Sequence, residues 1–182
     1  MQFIATFLLE PAGNSSFKEI LVRFERCLGC RSCQLACAVA HSGAGSLLGA
    51  VLNGERPRAR IFIHQAGGYR APLNCRHCQD APCIDACIAG AMYRKDDGTV
   101  TNVGGEQQCT ACWMCVMVCP YGVIRSNAEG TMALKCDREC RGEKEVPACV
   151  RACPTGALVY DEVDDYSDKR RLDVLNRALS NL

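Results

Sequence analysis

The chain has few aromatic residues, almost no net charge and no long apolar run, and each shortage argues against one kind of structure or partner. Phe, Trp and Tyr make up 6% of its 182 residues, so an ordinary apolar core has little to build on. No stretch approaches the roughly 18 apolar residues that a membrane helix needs. The formal net charge of +1 does not indicate a nucleic-acid partner.

A secretory signal is also missing from the first residues. Residues 1–9 (MQFIATFLL) contain no basic segment, and Glu10 and Pro11 end the apolar run. Without export the thiols meet a reducing cytoplasm, where disulfides are rare. We therefore expect a cytoplasmic protein, peripheral to the inner face of the membrane only through its partners. A disulfide scaffold is the less favoured explanation of its cysteines.

Cysteine is what the chain has in abundance, with 16 residues in four groups of four. The groups are Cys27-x2-Cys30-x2-Cys33-x3-Cys37, Cys75-x2-Cys78-x4-Cys83-x3-Cys87, Cys109-x2-Cys112-x2-Cys115-x3-Cys119 and Cys136-x3-Cys140-x8-Cys149-x3-Cys153. Each group ends in Cys-x3-Cys, which brings two sulfurs to one side of a helical turn.

Short strands are predicted beside the groups, at residues 20–24, 60–64, 99–103, 123–124 and 158–160. Hairpin turns are predicted at residues 96–98 and 128–130. The repeated unit is a strand, a cysteine loop, a short helix and a strand. This pattern predicts an α+β fold made of two bacterial-ferredoxin-like modules packed together, with small hairpins and a C-terminal helix.

The spacing favours 4Fe-4S clusters over zinc. Group three, followed by Pro120, matches the bacterial ferredoxin run, in which three cysteines bind one cluster and the fourth binds the other cluster of a pair. Structural zinc takes two Cys-x2-Cys pairs, so three cysteines within seven residues exceed its needs. Four clusters would bring the net charge to about −7. A zinc-stapled interaction module is the alternative from another class.

Groups two and four have longer spacings between their cysteines than groups one and three. The spacing Cys136-x3-Cys140 departs from the usual Cys-x2-Cys and makes the cluster of these cysteines the least regular. His77 is a possible ligand, but a hydrogen bond is the favoured role, and Trp113 is expected to shield a cluster from water. The basic residues of segment 56–60 are interpreted as a solvated face.

A radical enzyme would need Cys-x3-Cys-x2-Cys. After the Cys-x3-Cys pairs, the position of that third cysteine holds Ala40, Gly90, Gly122, Glu143 or Gly156. We therefore expect no catalytic residues and no enzyme activity of the chain's own.

The predicted domain organisation is an N-terminal extension (1–19), a double ferredoxin-like domain (20–160) and a C-terminal helical tail (161–182). In the tail one apolar stripe is predicted, formed by Leu172, Leu175, Leu179 and Leu182. Packing of this stripe on its own domain is favoured over docking to a partner helix.

Four segments carry a resemblance to a known family. They are residues 41–43 (HSG), 76–83 (RHCQDAPC), 89–94 (AGAMYR) and 112–120 (CWMCVMVCP). Over about residues 20–160, with its four cysteine groups, the chain resembles the ferredoxin-like electron-transfer subunit of carbon monoxide dehydrogenase. It is similar more widely to the iron–sulfur subunits of molybdopterin oxidoreductases.

The resemblance implies four ligand sets, which cross groups one and four and groups two and three. Set one is Cys27, Cys30, Cys33 and Cys153; set two is Cys136, Cys140, Cys149 and Cys37; set three is Cys75, Cys78, Cys83 and Cys119; set four is Cys109, Cys112, Cys115 and Cys87. It also implies that the four clusters lie in a line.

The same resemblance implies a function in an anaerobic oxidoreductase complex. Electrons would pass singly from a carbon monoxide dehydrogenase catalytic subunit to a membrane-associated hydrogenase or a flavin/NAD(P) oxidoreductase. The alternative within this class is the same role for a formate dehydrogenase or hydrogenase.

Overall fold

The computed structural model describes residues 17–142 and 145–180. Over these residues the helices are α1 (Ser32–Ala40), α2 (Leu47–Leu52), α3 (Pro82–Asp85), α4 (Met114–Val118), α5 (Ala148–Arg151) and α6 (Val163–Leu179). The strands are β1 (Lys18–Val22), β2 (Ile61–Ala66), β3 (Tyr69–Asn74), β4 (Tyr93–Arg94), β5 (Val100–Thr101), β6 (Arg125–Ser126), β7 (Ala133–Leu134) and β8 (Leu158–Glu162). The chain is therefore a mixed helix and strand protein, as predicted.

Within the described residues the strands form two-stranded antiparallel sheets. β2 pairs with β3, β4 with β5 and β6 with β7, while β1 pairs with the distant β8. The predicted turns at 96–98 and 128–130 lie inside two of these hairpins, and Gly98 and Gly130 have φ of 77° and 72°. Glycine adopts this left-handed backbone without a steric penalty, which is why it occupies both turns.

The strand predicted at residues 123–124 is wrong. Val123 and Ile124 are buried in apolar clusters, and the paired strand β6 begins one residue later. An apolar pair predicts burial equally well in a strand or in irregular chain, so the sequence pattern did not separate the two.

Pairing of β1 with β8 joins the two ends of the domain. Ile20 lies opposite Tyr160, and helix α1 packs against α5. Helix α3 packs against α4 in the same way. Groups one and four are therefore in contact and are here called the outer half, and groups two and three are likewise in contact and are called the inner half.

Each half has its own apolar cluster, and both clusters include buried cysteine. The outer cluster contains Ile20, Cys33, Cys37, Ile61, Cys149 and Leu158. The inner cluster contains Ala81, Met92, Val100, Cys115, Ile124 and Ala133. A smaller cluster of Cys75, Val123 and Cys136 contains cysteines from both halves. Cysteines therefore contribute to the core of both halves, beside the aliphatic side chains.

Helix α6 follows β8 and carries the predicted leucine stripe. Asp164 and Asp165 lie in its first turn and Arg177 in its last, which suits the helix dipole. Leu172, Leu175 and Leu179 are 60%, 53% and 57% exposed, so the interpretation that the stripe packs on its own domain is wrong for them. Leu182 lies outside the described residues. No helix among the described residues is long and apolar enough to cross a membrane.

Candidate iron–sulfur centres

All four cysteine loops share one backbone feature. The residue two positions after the first cysteine has a left-handed backbone in every group: Gly29 (φ 69°), His77 (φ 45°), Ala111 (φ 56°) and Arg138 (φ 60°). Such a conformation costs a non-glycine residue on the order of 1–3 kcal/mol, and folded proteins keep it where the surroundings fix it. The repetition shows that the looser groups two and four begin with the same turn as groups one and three.

The last two cysteines of each group are brought together by a helical turn. In group one both Cys33 and Cys37 lie within helix α1. In group three Cys115 lies in α4 and Cys119 directly follows it. The short helices α3 and α5 hold Cys83 and Cys149 in the same relation to the cysteine four residues on.

Three cavities are each lined by four cysteines. The first includes Cys27, Cys30, Cys33 and Cys153. The second includes Cys75, Cys78, Cys83 and Cys119. The third includes Cys87, Cys109, Cys112 and Cys115. These are the combinations named above as sets one, three and four.

The remaining four cysteines are those of set two, and two of them, Cys37 and Cys149, lie in the outer apolar cluster. Burial raises the pKa of Cys149, and the charges of Cys136, Cys37, Cys140 and Cys33 of set one raise it further. Cys37, Cys136 and Cys149 are 4%, 7% and 4% exposed. Three of the four thiols of set two are thus deeply buried.

Backbone amides point at several of the sulfurs. The amide of Arg60 donates to Cys37 Sγ at 3.2 Å, and that of His77 donates to Cys75 Sγ at 3.4 Å. Met92 and Ala133 donate in the same way to Cys87 and Cys109, each at 3.4 Å. Hydrogen bonds to sulfur favour the thiolate form and are one of the levers that set the potential of an iron–sulfur cluster.

The donor atoms suit a polynuclear cluster. Burial raises the pKa of Cys33 to about 11, of Cys115 to about 11 and of Cys136 to about 12. Without a bound metal these thiols therefore keep their protons, and a metal that binds them has to displace those protons. In the described part of the chain no three His, Cys, Asp or Glu side chains converge on a single ion. Four sulfurs around the wall of a cavity are the arrangement that a cubane requires.

The sets adjoin one another in a fixed order. The outer cluster contains Cys33 of set one beside Cys37 and Cys149 of set two. The smaller shared cluster joins Cys136 of set two to Cys75 of set three. The inner cluster, with the residues packed on it, contains cysteines of sets three and four. The order is therefore one, two, three, four.

His77 is not arranged as a metal ligand. Its Nδ1 accepts a hydrogen bond from the amide of Val100 at 2.9 Å. Burial and the charges of Arg138 and Lys135 lower its pKa to about 2, so the ring is neutral and its proton sits on Nε2. Neither nitrogen then offers a free lone pair, in agreement with the favoured hydrogen-bonding role. Trp113 lines the cavity of set four.

A buried ion cluster beside set two was not foreseen from the sequence. Asp137 is paired with both Arg60 and His41, and its side chain is 5% exposed. Burial alone would raise the Asp137 pKa, but the hydrogen bond with His41 and the charge of Arg60 hold it well below its usual range. Arg60, with its side chain 13% exposed, does not fit the predicted solvated face.

His41 completes this cluster. Its Nδ1 donates to the carbonyl of Cys37 at 2.7 Å, and its Nε2 lies 3.4 Å from Asp137 Oδ1. Burial alone would lower the pKa of His41, but the hydrogen bonds with Asp137 and Cys37 raise it to about 10. Both ring nitrogens therefore act as donors, which is the state of a charged imidazolium.

Lys135 is a second buried charge that the sequence did not reveal. It is 2% exposed, and its Nζ donates to the carbonyl oxygens of Val100 and Cys136. It also lines the cavity of set three. Basic residues near a cysteine are common in solvated loops, so the sequence carried no signal that this one is buried.

Comparison with known proteins gives a consistent result. Residues 68–163 match the model of the 4Fe-4S dicluster domain family. The iron-sulfur protein of Rhodospirillum rubrum is 42% identical over 157 residues, covering 78% of this chain and 80% of that protein. The electron transport protein HydN of Escherichia coli (strain K12) is 36% identical over 155 residues, covering 77% and 85%.

A further relative is much longer. The putative oxidoreductase AegA of Escherichia coli (strain K12) is 37% identical over 146 residues, which cover 76% of this chain but 21% of AegA. The names of the two relatives of similar length are those of iron–sulfur and electron transport proteins, consistent with a non-catalytic electron carrier. The cysteine-lined cavities and these similarities lead to one conclusion: the chain belongs to the 4Fe-4S dicluster family of iron–sulfur electron-transfer proteins.

Proposed function

We propose that this protein relays single electrons through four 4Fe-4S clusters, from the catalytic subunit of a carbon monoxide dehydrogenase to a downstream acceptor. Each of the four ligand sets binds one cluster, and each half of the molecule is a bacterial-ferredoxin-like module. The observation that carries the proposal is the unbroken order of the sets, in which set two of the outer half meets set three of the inner half through Cys136 and Cys75.

Bound 4Fe-4S clusters supply one-electron redox chemistry, and the chain supplies the sulfur ligands, the hydrogen bonds and the exclusion of water around them. The cysteine loops and helical turns hold the sulfurs in place. Backbone amides donate to Cys37, Cys75, Cys87 and Cys109. The apolar clusters of the two halves exclude water, which influences the potential of each site.

The choice of carbon monoxide dehydrogenase as the electron donor rests on the selective segments 76–83 and 112–120. These segments surround cysteines of sets three and four, so they lie near the set-four end of the proposed line of clusters. The acceptor is a membrane-associated hydrogenase or a flavin/NAD(P) oxidoreductase at the other end.

Iron analysis with electron paramagnetic resonance tests the number of clusters. Anaerobically purified protein should be brown and contain about 16 iron atoms per chain, four for each cluster. A preparation with eight or fewer would contradict the four-cluster proposal. A colourless protein containing zinc would contradict electron transfer altogether.

Copurification tests the partner separately. The native complex, isolated anaerobically, should contain a nickel-dependent catalytic subunit that oxidises carbon monoxide. A partner with a molybdenum or tungsten pterin would overturn the carbon monoxide dehydrogenase assignment, favour the formate dehydrogenase alternative and leave the electron-transfer role intact.

A further inference from the structure

Lys135 presents an electrostatic problem. It is 2% exposed, and taking an ammonium group out of water is expensive unless an opposite charge compensates for it. Its Nζ reaches two carbonyl oxygens, of Val100 and Cys136, although an ammonium carries three N–H donors. Among residues 17–142 and 145–180, no carboxylate forms an ion pair with it.

The other buried charges of the described chain do have partners. Asp137 is paired with Arg60 and His41. Arg138, which is 2% exposed, is paired with Glu19 and also donates to the carbonyl of Lys18. Lys135 is therefore the exception among them, and its counter-charge has to come from something other than a described carboxylate.

The position of Lys135 indicates what that counter-charge is. Its side chain lines the cavity of set three together with Cys75, Cys78, Cys83 and Cys119. Four thiolates around an oxidised cubane leave a net charge of about −2, which becomes about −3 on reduction.

We propose that the ammonium of Lys135 is the counter-charge of the cluster bound by set three and raises the reduction potential of that cluster. This inference rests on the proposed function, because it requires a cluster at set three. A positive charge stabilises the more negative, reduced state, and it acts strongly where little water screens it.

The consequence for electron flow concerns the middle of the relay. Set three lies next to set two, across the junction between the halves. A raised potential there makes this cluster easier to reduce than it would be without the charge of Lys135. Lys135 thus favours residence of the electron at set three between donor and acceptor.

The test is an anaerobic redox titration of the holoprotein followed by electron paramagnetic resonance. Lys135→Met removes the charge and keeps the length of the side chain, whereas Lys135→Arg keeps the charge. We expect Lys135→Met to lower the equilibrium constant for reducing one cluster at least tenfold, which is about 59 mV for a one-electron couple. Lys135→Arg should remain near the wild-type value.

Two controls make the assignment specific. Lys169→Met removes an exposed ammonium, 58% exposed and paired with Asp161, and should shift no midpoint. Cys83→Ser replaces a sulfur of set three and should perturb the same resonance that Lys135→Met shifts. Unchanged midpoints in Lys135→Met, or an equal shift of all clusters, would overturn the proposal.

Iron content decides the remaining outcomes. If Lys135→Met loses about four irons while Lys135→Arg keeps the full complement, the positive charge is needed at set three and the proposal stands. If both variants lose iron, Lys135 only fills space and the proposal falls. Wild-type protein without iron at set three would instead contradict the proposed function itself.

Discussion

The outer and inner halves share one arrangement of cysteines but surround it with different charges. In the outer half, set two lies beside an ion cluster in which Asp137 is paired with both Arg60 and His41. In the inner half, set three lies beside Lys135, which has no carboxylate partner in the described chain. Sulfur geometry is therefore repeated, while local electrostatics are not. In such a protein the ligands define the sites, and the nearby charges distinguish them.

The largest expected effect concerns the iron–sulfur clusters that both halves are proposed to bind. Removing iron with a chelator under reducing conditions should unfold both halves, because both contain cavities lined by four cysteines and the free energy of metal binding at such sites contributes to folding. Far-ultraviolet circular dichroism should lose its folded signal, and reconstitution with iron and sulfide should restore it. A signal that survives complete iron removal would show that the apolar contacts suffice.

The next prediction tests the compensated charges of the outer half. Asp137→Asn leaves Arg60 and His41 without their buried counter-charge, so we expect a loss of about 3 kcal/mol in the free energy of unfolding. Anaerobic denaturant unfolding followed by the visible absorbance of the clusters measures this loss.

A matched exposed pair provides the control for Asp137→Asn. Asp168 and Arg171 are 66% and 68% exposed, so Asp168→Asn should cost less than about 1 kcal/mol. Equal effects of the two substitutions would mean that burial of the Asp137 cluster is energetically unimportant, and the contrast between the halves would disappear.

Much of this architecture could be predicted from the cysteine spacing. Cys-x3-Cys predicted the helical turns that hold Cys33 with Cys37 and Cys115 with Cys119, because a helix brings residues four apart to one side. Glycine in the turns at 98 and 130 predicted two hairpins for a similarly local reason. Features set by neighbouring residues in the chain are the ones that a single sequence reveals.

The charges around the sites could not be predicted in this way. Asp137 and Arg60 are 77 residues apart in the chain, and a lone acidic or basic residue has no periodic signature that marks its burial. Lys135 is buried because β7 places it against Val100 of β5, which is a tertiary contact. The interpretation of the α6 leucines was wrong for a different reason. An apolar stripe predicts that one face of a helix is buried, but it does not show what covers that face, and these leucines are exposed.

A smaller effect tests a local difference between the cysteine groups. Three residues after the last cysteine, groups two, three and four have a glycine with a left-handed backbone, whereas group one has Ala40 in the last turn of α1. Gly122 has φ of 60° and open space around its missing Cβ. Gly122→Ala should therefore cost about 1 kcal/mol through its backbone alone.

The complementary substitution in group one should act through helix propensity. Ala40→Gly should cost about 0.5 kcal/mol, because glycine loses more backbone freedom than alanine in a helix. Both losses are measured as shifts of the unfolding midpoint at full iron content. If Gly122→Ala were neutral, the turn after Cys119 would accept a helical continuation, and the difference between group one and the others would be accidental.

The smallest expected effect concerns the tail, which is joined to the outer half through β8. Leu175 in α6 is 53% exposed, so Leu175→Gln should change the free energy of unfolding by less than about 0.5 kcal/mol, as expected for a surface position. Ile20 in β1 is 1% exposed and lies in the outer apolar cluster, so Ile20→Ala provides the contrast at about 2–5 kcal/mol. Thermal or denaturant unfolding of the isolated holoprotein compares the two variants. A large loss in Leu175→Gln would mean that α6 is packed on the outer half in solution, and that the leucine stripe belongs to the core after all.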